Sequence, residues 1–282
     1  MSDPRAFVIG WPIDHSLSPH IHGHWLQQHD ISGHYERVPV PPGEVPAFLA
    51  QARTQGFVGG NVTIPHKPAA FAQAGRTDET AAKLGVANTL VFEEQGIYAF
   101  NTDPYGFLAN LDQRAPGWSS GAGNALAVVV GAGGAARSVC FALAQRGYRL
   151  CIANRTRERA EQLVADLSLD AEIIPMAALN QAMAPASLVV NTTALGMVGQ
   201  PDLTVEFDAL QAPALITDIV YTPLLTPFLQ RAQSAGLVTV DGLGMLLHQA
   251  VPGFAAWFGQ RPDVTDQLRA EIEAIVGGQD GG

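Results

Sequence analysis

The segment from residue 126 to residue 159 constrains the fold of this chain more than any other part of its sequence. An apolar run at residues 126–130 leads into the glycine turn at residues 131–134 (GAGG), and a helical pattern follows from Ala135. Such a run is typical of a buried parallel strand that passes into a helix, since glycine permits the tight turn and lets the backbone approach a phosphate. Free N–H groups at the start of that helix would bind a pyrophosphate. The segment therefore predicts a dinucleotide-binding unit.

Basic residues follow the next predicted strand, Arg149–Ala153, at Arg155, Arg157 and Arg159. They lie roughly twenty residues beyond the turn, where NAD enzymes place a carboxylate for the ribose 2′-hydroxyl. An arginine there suits the 2′-phosphate of NADP instead. The alternative is that the three arginines are only a solvated first turn of a helix. Because cations oppose the dipole at a helix N-terminus, we favour a bound anion and predict NADP as the cofactor.

Composition limits the class of protein and of partner. The chain has 282 residues, 47% of them hydrophobic, and a formal net charge of −10, which disfavours a nucleic-acid or anionic-membrane partner. Cys140 and Cys151 give no disulfide framework, and neither a signal peptide nor a membrane span is evident. We expect a cytoplasmic protein, a monomer or a homodimer, that acts on a small-molecule substrate.

Strand and helix patterns alternate on both sides of the glycine turn, which indicates an α/β fold with two lobes. Before the turn, strand patterns occur at 6–11, 34–39, 56–62 and 89–100, and helical patterns at 19–28 and 44–55. After it, strand patterns occur at 171–175, 188–191, 215–219 and 237–240.

A polar stretch of small residues at 113–124 separates the two series. We predict a substrate-binding domain at residues 1–107, completed by residues 241–282, and a doubly wound Rossmann-type NADP domain at residues 108–240. The last helix, near residues 244–258, would return to the first lobe, leaving a cleft between the lobes, and the tail from Gly277 would be frayed.

Lysine is scarce, and the two lysines of the chain stand in different contexts. Lys67 lies between Pro65 and Pro68 in a predicted rigid loop just past a strand, where ligands bind in open α/β sheets, whereas Lys83 is expected to be solvated. A lysine in a cleft has a titratable ammonium that arginine lacks, and it acts as a general acid or base when its surroundings tune it. Asp103, at the opening of a helix, is the leading carboxylate partner, although an ordinary helix cap explains its position equally well.

Polar side chains also cluster near the N-terminus. Ser18 is predicted to cap a helix with Pro19 at its first position, and Ser16 stands two residues earlier. Hydroxyl groups beside free helix amides suit a carboxylate ligand. Six of the eight histidines fall within the first 34 residues, with His20 and His24 on one helix face. Because this cluster lacks the carboxylates or thiolates of known metal motifs, we predict no metal site.

Eight motifs, in order and over nearly the whole length, resemble the NADP-dependent shikimate dehydrogenases of the shikimate/quinate dehydrogenase family, enzymes of aromatic amino-acid biosynthesis. They are S-x-S-P at 16–19, NVTIPHK at 61–67, ANT at 87–89, NTD at 101–103, GAGGAAR at 131–137, NRTRERA at 154–160, Tyr221 in DIVYTP, and DGLGMLLHQA at 241–250.

The resemblance implies roles for individual residues. The substrate carboxylate would be held by Ser16 and Ser18. The hydroxyl groups of the substrate would be bound by Thr63, Asn88, Asp103 and Gln249, with Asn61 and Tyr221 nearby. Lys67 would transfer the proton, paired with Asp103. The residues implied in cofactor binding are Gly131, Ala132, Gly133, Gly134, Ala135, Asn154, Arg155, Thr156, Arg159, Ile219, Gly242, Met245 and Glu79, of which Ile219, Gly242 and Met245 would line the nicotinamide.

The implied activity is the reversible reduction of 3-dehydroshikimate to shikimate, with lobe closure bringing Lys67 and the cofactor together. Two alternatives stay open, a quinate enzyme that uses NAD and a non-catalytic sensor of the same ligands. Pro104 stands where the family commonly has glycine, which stiffens the start of the helix and puts the aim of the Asp103 carboxylate in doubt.

Overall fold

The computed structural model describes residues 3–208, 210 and 214–279, and their contacts divide the chain into two units. The first unit runs up to Thr102 and includes Gln249–Ile272, and the second comprises Asp103–His248 and the residues from Glu273. Each unit contains a six-stranded sheet with helices, so the predicted α/β class is confirmed.

The sheet of the first unit is mixed. Its strands are β1 (Arg5–Gly10), β2 (His34–Pro39), β3 (Phe57–Val62), β4 (Arg76–Thr77), β5 (Thr89–Glu93) and β6 (Gly96–Phe100), in the order β2-β1-β3-β5-β6-β4. Its first four helices are α1 (Ser18–Gln28), α2 (Val45–Ala52), α3 (Lys67–Ala72) and α4 (Glu79–Leu84). β1 pairs in parallel with β2 and β3, whereas β5 is antiparallel to β3 and β6. The single strand pattern at 89–100 is thus the hairpin β5–β6, whose strands are joined by Glu94 and Gln95.

Phe7 of β1 lies at the centre of one core of this unit. It is fully buried and meets the rings of Phe48 and Phe57 edge to face, with ring centroids 5.0 and 5.2 Å away. A Cβ atom on Gly60 would lie 2.2 Å from the Phe7 ring, so β3 can pass this ring only with glycine at that position. Burial of a phenylalanine side chain stabilises a fold by about 1.5–3 kcal/mol.

The sheet of the second unit is parallel throughout. Its strands are β7 (Leu126–Val130), β8 (Arg149–Ala153), β9 (Ala171–Ile174), β10 (Leu188–Asn191), β11 (Leu215–Asp218) and β12 (Val238–Val240), in the order β9-β8-β7-β10-β11-β12. Its helices include α5 (Asp103–Arg114), α6 (Gly134–Gln145), α7 (Arg157–Leu167), α8 (Leu179–Met183) and α9 (Pro227–Ser234). The strand order reverses between β7 and β10, which is the doubly wound Rossmann arrangement that the sequence predicted.

The central strands of this sheet are buried on both faces, which explains their uninterrupted apolar sequences. Four consecutive residues of β7, from Ala127 to Val130, have no exposed surface. Cys140 and Cys151 are also buried here as free thiols, and burial raises their pKa to about 12 and about 11 respectively. Both cysteines therefore act as small hydrophobic residues of the core.

Two helices complete the chain, α10 (Leu243–Phe258) and α11 (Asp266–Gln279). The indole N–H of Trp257, near the end of α10, donates to the Leu90 carbonyl at 2.8 Å, so this part of the helix packs within the first unit. The prediction that α10 is the last helix is wrong, since α11 follows it and buries Leu268, Ile272 and Val276 along one face. Fraying from Gly277 stays a prediction: α11 extends to Gln279, and the rest of that tail lies outside the described residues.

Candidate active site

Ser16 and Ser18 form a turn that is held by a hydrogen bond within it and by the guanidinium of Arg37. α1 begins at Ser18 and its cap position is Leu17, so the prediction that Ser18 caps the helix is wrong. The Oγ atom of Ser16 accepts a hydrogen bond from the Ser18 N–H at 3.3 Å. The guanidinium of Arg37, on β2, donates to the Ser16 carbonyl at 2.9 Å from Nε. Arg37 therefore fixes this turn, and no local sequence pattern indicates it because β2 is distant in the chain.

Asn61, near the end of β3, uses its amide on neighbours within the first unit. Its Oδ1 accepts a hydrogen bond from the Tyr35 hydroxyl at 2.6 Å. Its Nδ2 donates to the Asn88 carbonyl and to the Thr89 hydroxyl, both at 3.2 Å. Only 5% of Asn61 is exposed. The main role of the Asn61 amide is therefore to orient neighbouring residues, and contact with a ligand is secondary.

The side chain of Asn88 continues this network. Its Nδ2 donates to the Thr102 hydroxyl at 2.9 Å and to Gln249 Oε1 at 3.3 Å. Its Oδ1 accepts from the Thr102 N–H at 2.9 Å. The Thr102 hydroxyl in turn donates to the Gln249 carbonyl at 2.7 Å. The structure thus joins three of the predicted substrate residues, Asn61, Asn88 and Gln249, by hydrogen bonds.

Thr63 and Lys67 follow the carboxyl end of β3. The Thr63 N–H donates to the Ile9 carbonyl at 2.9 Å, which ties this segment to β1. His66 is buried, and its ring lies 2.7 Å from the Val40 carbonyl. Lys67 is half-buried and is the first residue of α3, so the loop predicted around it is a helix start instead.

The remaining charged candidates differ in environment. Asp103 is the first residue of α5 and belongs to the second unit. Pro104 is buried in the first turn of that helix, a position that suits proline. Lys83 is exposed on α4 in the first unit, and Glu79, at the start of the same helix, follows the capping residue Asp78.

The glycine turn of the second unit contains glycines with two different roles. Gly131 has φ +112°, and a Cβ atom there would lie 2.7 Å from the Thr192 hydroxyl. Gly133 is the cap residue of α6, which begins at Gly134, one residue earlier than predicted. A Cβ atom on Gly133 or Gly134 would meet no atom of the described part of the chain within 4 Å. The turn thus needs Gly131 for its own backbone and leaves open space in front of the other two.

A cavity of about 400 Å³ opens at this turn within the second unit. It is lined by Ala132, Gly133, Gly134, Arg137, Arg159, Gln162 and Leu163. Asp166 organises one wall, because its carboxylate accepts from Arg137 at 2.8 Å and from Gln162 at 2.6 Å. The Arg137 hydrogen bond holds the pKa of Asp166 below its ordinary value. Arg137 was not predicted as a site residue, although it is the last residue of the GAGGAAR motif.

The three arginines after β8 are not equivalent. Arg157 donates from Nε to Glu161 at 2.8 Å and from Nη1 to the Ile173 carbonyl at 3.4 Å, so its charge has partners within the protein. Arg155 is exposed, whereas Arg159 reaches the cavity. The loop that carries Arg155 is shaped by Asn154, whose amide donates to the Thr156 carbonyl at 2.7 Å.

The residues expected at the nicotinamide lie around the carboxyl end of β11. A Cβ atom on Gly242 would lie 2.3 Å from the Ile219 carbonyl oxygen, so the two backbones touch here. The Met245 N–H donates to the Gly242 carbonyl at 3.1 Å. Tyr221 follows two residues after Ile219, and burial raises its pKa. The structure therefore brings Ile219, Gly242 and Met245 together.

Asp218, which was not predicted as a site residue, anchors this corner. It is fully buried and accepts hydrogen bonds from Asn191 at 3.0 Å, from the Val220 N–H at 3.0 Å and from the Thr226 hydroxyl at 2.8 Å. Burial outweighs these bonds and raises the pKa of Asp218 to about 6. Asp218 therefore fixes the backbone that carries Ile219 and Tyr221.

The donor set of the second unit fits a dinucleotide. Phosphates would be bound by free N–H groups at the start of α6 and by the guanidinium groups of Arg137 and Arg159, and open space at Gly133 and Gly134 leaves room for them.

Among the residues that the structure describes, no group of three or more His, Cys, Asp or Glu side chains could hold a metal ion. Of the predicted histidine pair, His20 is exposed and His24 lies 2.7 Å from Glu271. No described helix is long and apolar enough to cross a membrane.

Models of three related domains match the chain. Residues 8–90 match the shikimate dehydrogenase substrate binding domain, residues 119–245 match shikimate/quinate 5-dehydrogenase, and residues 242–272 match the shikimate 5′-dehydrogenase C-terminal domain. The chain is 51% identical over 273 residues to the NADP(+) shikimate dehydrogenase of Paracoccus denitrificans, covering 96% of each protein.

Solved structures agree with these matches. Shikimate 5-dehydrogenase from Thermus thermophilus, in complex with NADP(H) and shikimate, is 33% identical with a TM-score of 0.83, over 98% of this chain and 100% of that one. Quinate dehydrogenase from Corynebacterium glutamicum, in complex with NAD, is 28% identical with a TM-score of 0.88, over 97% of this chain and 100% of that one. The chain therefore belongs to the shikimate/quinate dehydrogenase family.

Proposed function

We propose that the chain catalyses the reversible NADPH-dependent reduction of 3-dehydroshikimate to shikimate. One observation carries this proposal: the 51% identity to the Paracoccus enzyme extends over 96% of the chain and so includes both units. The polar network of the first unit and the arginine-lined cavity of the second supply the two kinds of site that such a reaction needs.

In the first unit, we assign substrate binding to the residues around the asparagine network. Ser16 and Ser18 hold the carboxylate, and Thr63, Asn88 and Gln249 bind hydroxyl groups. For Asp103 and Tyr221 the proposed substrate contacts rest on the resemblance of their motifs alone. Two hydrogen bonds support the assignment of Asn88 and Gln249, because they orient both amides before a ligand arrives: Asn88 Nδ2 donates to Gln249 Oε1, and Asn88 Oδ1 accepts from the Thr102 N–H. Asn61 serves by holding Asn88.

We assign the proton transfer to Lys67, with Asp103 as its carboxylate partner. The ammonium of Lys67 would donate a proton to the substrate oxygen in the reduction and accept it back in the oxidation, which is general acid and base catalysis. The position of Lys67 at the start of α3, directly after the buried His66, supports a fixed anchor point for this side chain.

The second unit would hold NADP, which supplies or accepts the hydride when bound. Residues Gly131–Ala135 present backbone N–H groups to the pyrophosphate, and Asn154, Arg155, Thr156 and Arg159 bind the 2′-phosphate and its ribose. Ile219, Gly242 and Met245 line the nicotinamide. The proximity of these three residues supports their assignment, whereas Glu79 rests on resemblance alone.

A second candidate function is quinate oxidation with NAD. It is favoured by the likeness to the Corynebacterium quinate dehydrogenase, which has the TM-score of 0.88. Against it, Arg159 lines the cavity at the glycine turn, and a guanidinium group there favours a phosphorylated ribose.

One assay separates the candidates. The purified full-length protein is tested with shikimate and quinate, each with NADP+ and with NAD+. We expect the largest kcat/KM for shikimate with NADP+. A larger value for quinate with NAD+ would support the second candidate, and no turnover with any pair would leave a sensor that binds these ligands without catalysis.

A further inference from the structure

A histidine ring lies in the core of the first unit beside the asparagine network. His22 is fully buried, and neither of its ring nitrogens has a hydrogen-bond partner of good geometry among the described residues. Its ring is parallel to that of Tyr35, with 3.9 Å between centroids and 14° between planes, and Phe254 lies on a parallel plane at 5.9 Å. Burial lowers the pKa of His22 to about 3, against a weaker opposing effect of the Asn61 side chain, so the imidazole is neutral at physiological pH. His22 thus acts here as a flat, uncharged surface for Tyr35.

Tyr35 carries its hydroxyl from this stack to the proposed substrate residues. The hydroxyl donates to Asn61 Oδ1 at 2.6 Å. Burial raises the pKa of Tyr35 well above its ordinary value, and the nearby Ser18 side chain opposes that rise. The phenol is therefore protonated at every working pH and remains a donor to Asn61. This single oxygen atom, carried by β2, thus reaches the amide of Asn61 near the end of β3.

The effect of this oxygen extends beyond its own contacts. An amide can rotate by half a turn, and Asn61 is held in one orientation because Oδ1 has a donor opposite it and Nδ2 has two acceptors. Without the Tyr35 hydroxyl, Asn61 Oδ1 would lose its donor. The amide would then be held on one side only, and the Nδ2 bonds to the Asn88 carbonyl and the Thr89 hydroxyl would no longer be fixed in direction. The position of the Asn88 backbone therefore depends, through Asn61, on the hydroxyl of Tyr35.

We propose that Tyr35, stacked on His22, is a positioning residue for the substrate site, holding the Asn61 amide so that Asn88 keeps its binding geometry. This inference rests on the proposed function. It adds two residues, His22 and Tyr35, to those that the motifs indicate.

The test is Tyr35→Phe, which removes one oxygen and keeps the ring on His22. The matched control is Tyr98→Phe, because Tyr98 lies on β6 of the same unit under Arg76 and outside the network. For Tyr35→Phe we expect the KM for shikimate to rise about five- to tenfold, the value of one lost hydrogen bond, with kcat within about threefold of the original protein. The KM for NADP+ should be unchanged, and Tyr98→Phe should alter none of these constants.

The proposal would be overturned if the shikimate KM of Tyr35→Phe stayed within twofold of that of the original protein. A lower melting temperature together with such a KM would show that Tyr35 stabilises the fold without positioning the substrate site. If the original protein showed no turnover of shikimate, the proposed function would fail instead. The positioning role would then be decided by the crystal structure of Tyr35→Phe, in which an unmoved Asn61 amide overturns it and a rotated amide supports it.

Discussion

Asn61 and Asn88 show how much of this site depends on the direction of single amides. Both side chains are almost fully buried, and each hydrogen-bonds to residues that are distant in sequence. A buried amide that loses one partner costs about 1–3 kcal/mol, so these bonds hold one arrangement firmly. Lys67 and Arg155 are different, because their proposed roles depend on a charge directed at a ligand. Predictions at the residue scale therefore concern these two charges.

Replacement of Lys67 tests the proton transfer directly. We expect Lys67→Ala to lower kcat by about a hundredfold or more and to change the KM for shikimate little, because the ammonium acts mainly in the transition state. The chain offers one matched control, Lys83→Ala, since Lys83 is the other lysine and is exposed on α4. Steady-state kinetics of both variants provide the measurement. A kcat near that of the original protein in Lys67→Ala would remove Lys67 from the mechanism.

Arg155 and Arg157 form a second natural comparison. Arg155→Ala should raise the KM for NADPH and leave that for NADH nearly unchanged, because only NADPH carries the 2′-phosphate. Arg157→Ala should have a much smaller effect, since that guanidinium already pairs with Glu161 at 2.8 Å. The ratio of kcat/KM for the two cofactors is the quantity to compare. An unaltered ratio in Arg155→Ala contradicts the 2′-phosphate assignment.

At the scale of elements, the connection from β7 through the glycine turn to α6 assigns separate roles to its glycines. Gly131 adopts φ +112° against Thr192, so any side chain is strained there. Gly134 is the first residue of α6 and faces open space, so a methyl group is tolerated by the protein itself. Backbone strain and ligand space can thus be tested separately within one turn.

We expect Gly131→Ala to lower the free energy of unfolding by more than about 1 kcal/mol, because alanine resists positive φ and its Cβ would meet Thr192. Gly134→Ala should leave that free energy unchanged or slightly higher, yet raise the KM for NADPH, because its methyl group enters the cavity. Urea unfolding and cofactor titration of both variants make the comparison. Equal losses of stability would show that the two glycines share one structural role.

The sequence predicts the second unit better than the first, for physical reasons. β7, β8 and β10 match their predicted bounds because each is a continuous apolar run that ends at a polar residue or glycine. β4 has only two residues, Arg76 and Thr77, too few for any periodic pattern. α11 was predictable, since Leu268, Ile272 and Val276 recur at helical spacing.

The same contrast holds for the site. Residue types in the motifs indicated Asn61 and Asn88 as site residues, but not the direction of their amides. The contact that orients Asn61 joins it to Tyr35, 26 positions away and on another strand, through side chains that no local pattern relates. Arg37 and Asp218 escaped prediction for the same reason, because their importance lies in partners brought to them by the fold.

At the scale of the whole molecule, the buried His22 and Asp218 and the half-buried His248 shape the dependence of stability on pH. His22 and His248 have pKa values lowered by burial to about 3 and about 4, so each favours the folded state above the ordinary histidine pKa, and that contribution is lost as pH falls. Asp218 works in the opposite sense, because its raised pKa of about 6 favours the folded state at low pH. The contribution of each histidine to the free energy of unfolding changes between about pH 6.5, its ordinary pKa, and its pKa in the folded protein.

We therefore expect the free energy of unfolding to fall between pH 7 and pH 5, with His22 contributing about 2 kcal/mol of that fall. In His22→Phe the difference between the two pH values should shrink by about this amount, whatever the stability of the variant at pH 7. Urea unfolding followed by circular dichroism at both pH values measures it. A difference as large as in the original protein would show that His22 is protonated without cost in the folded chain.

The burial of Cys140 and Cys151 in the core of the second unit gives the protein a built-in chemical reporter of unfolding. A thiol reagent can modify them only when that unit opens, because neither sulfur is accessible and both are protonated in the native state. Three of the four tryptophans, Trp11, Trp25 and Trp257, belong to the first unit, so intrinsic fluorescence follows mainly the other half of the molecule. Alkylation and emission recorded on one sample would reveal whether the two halves melt in concert or in succession, without any added label.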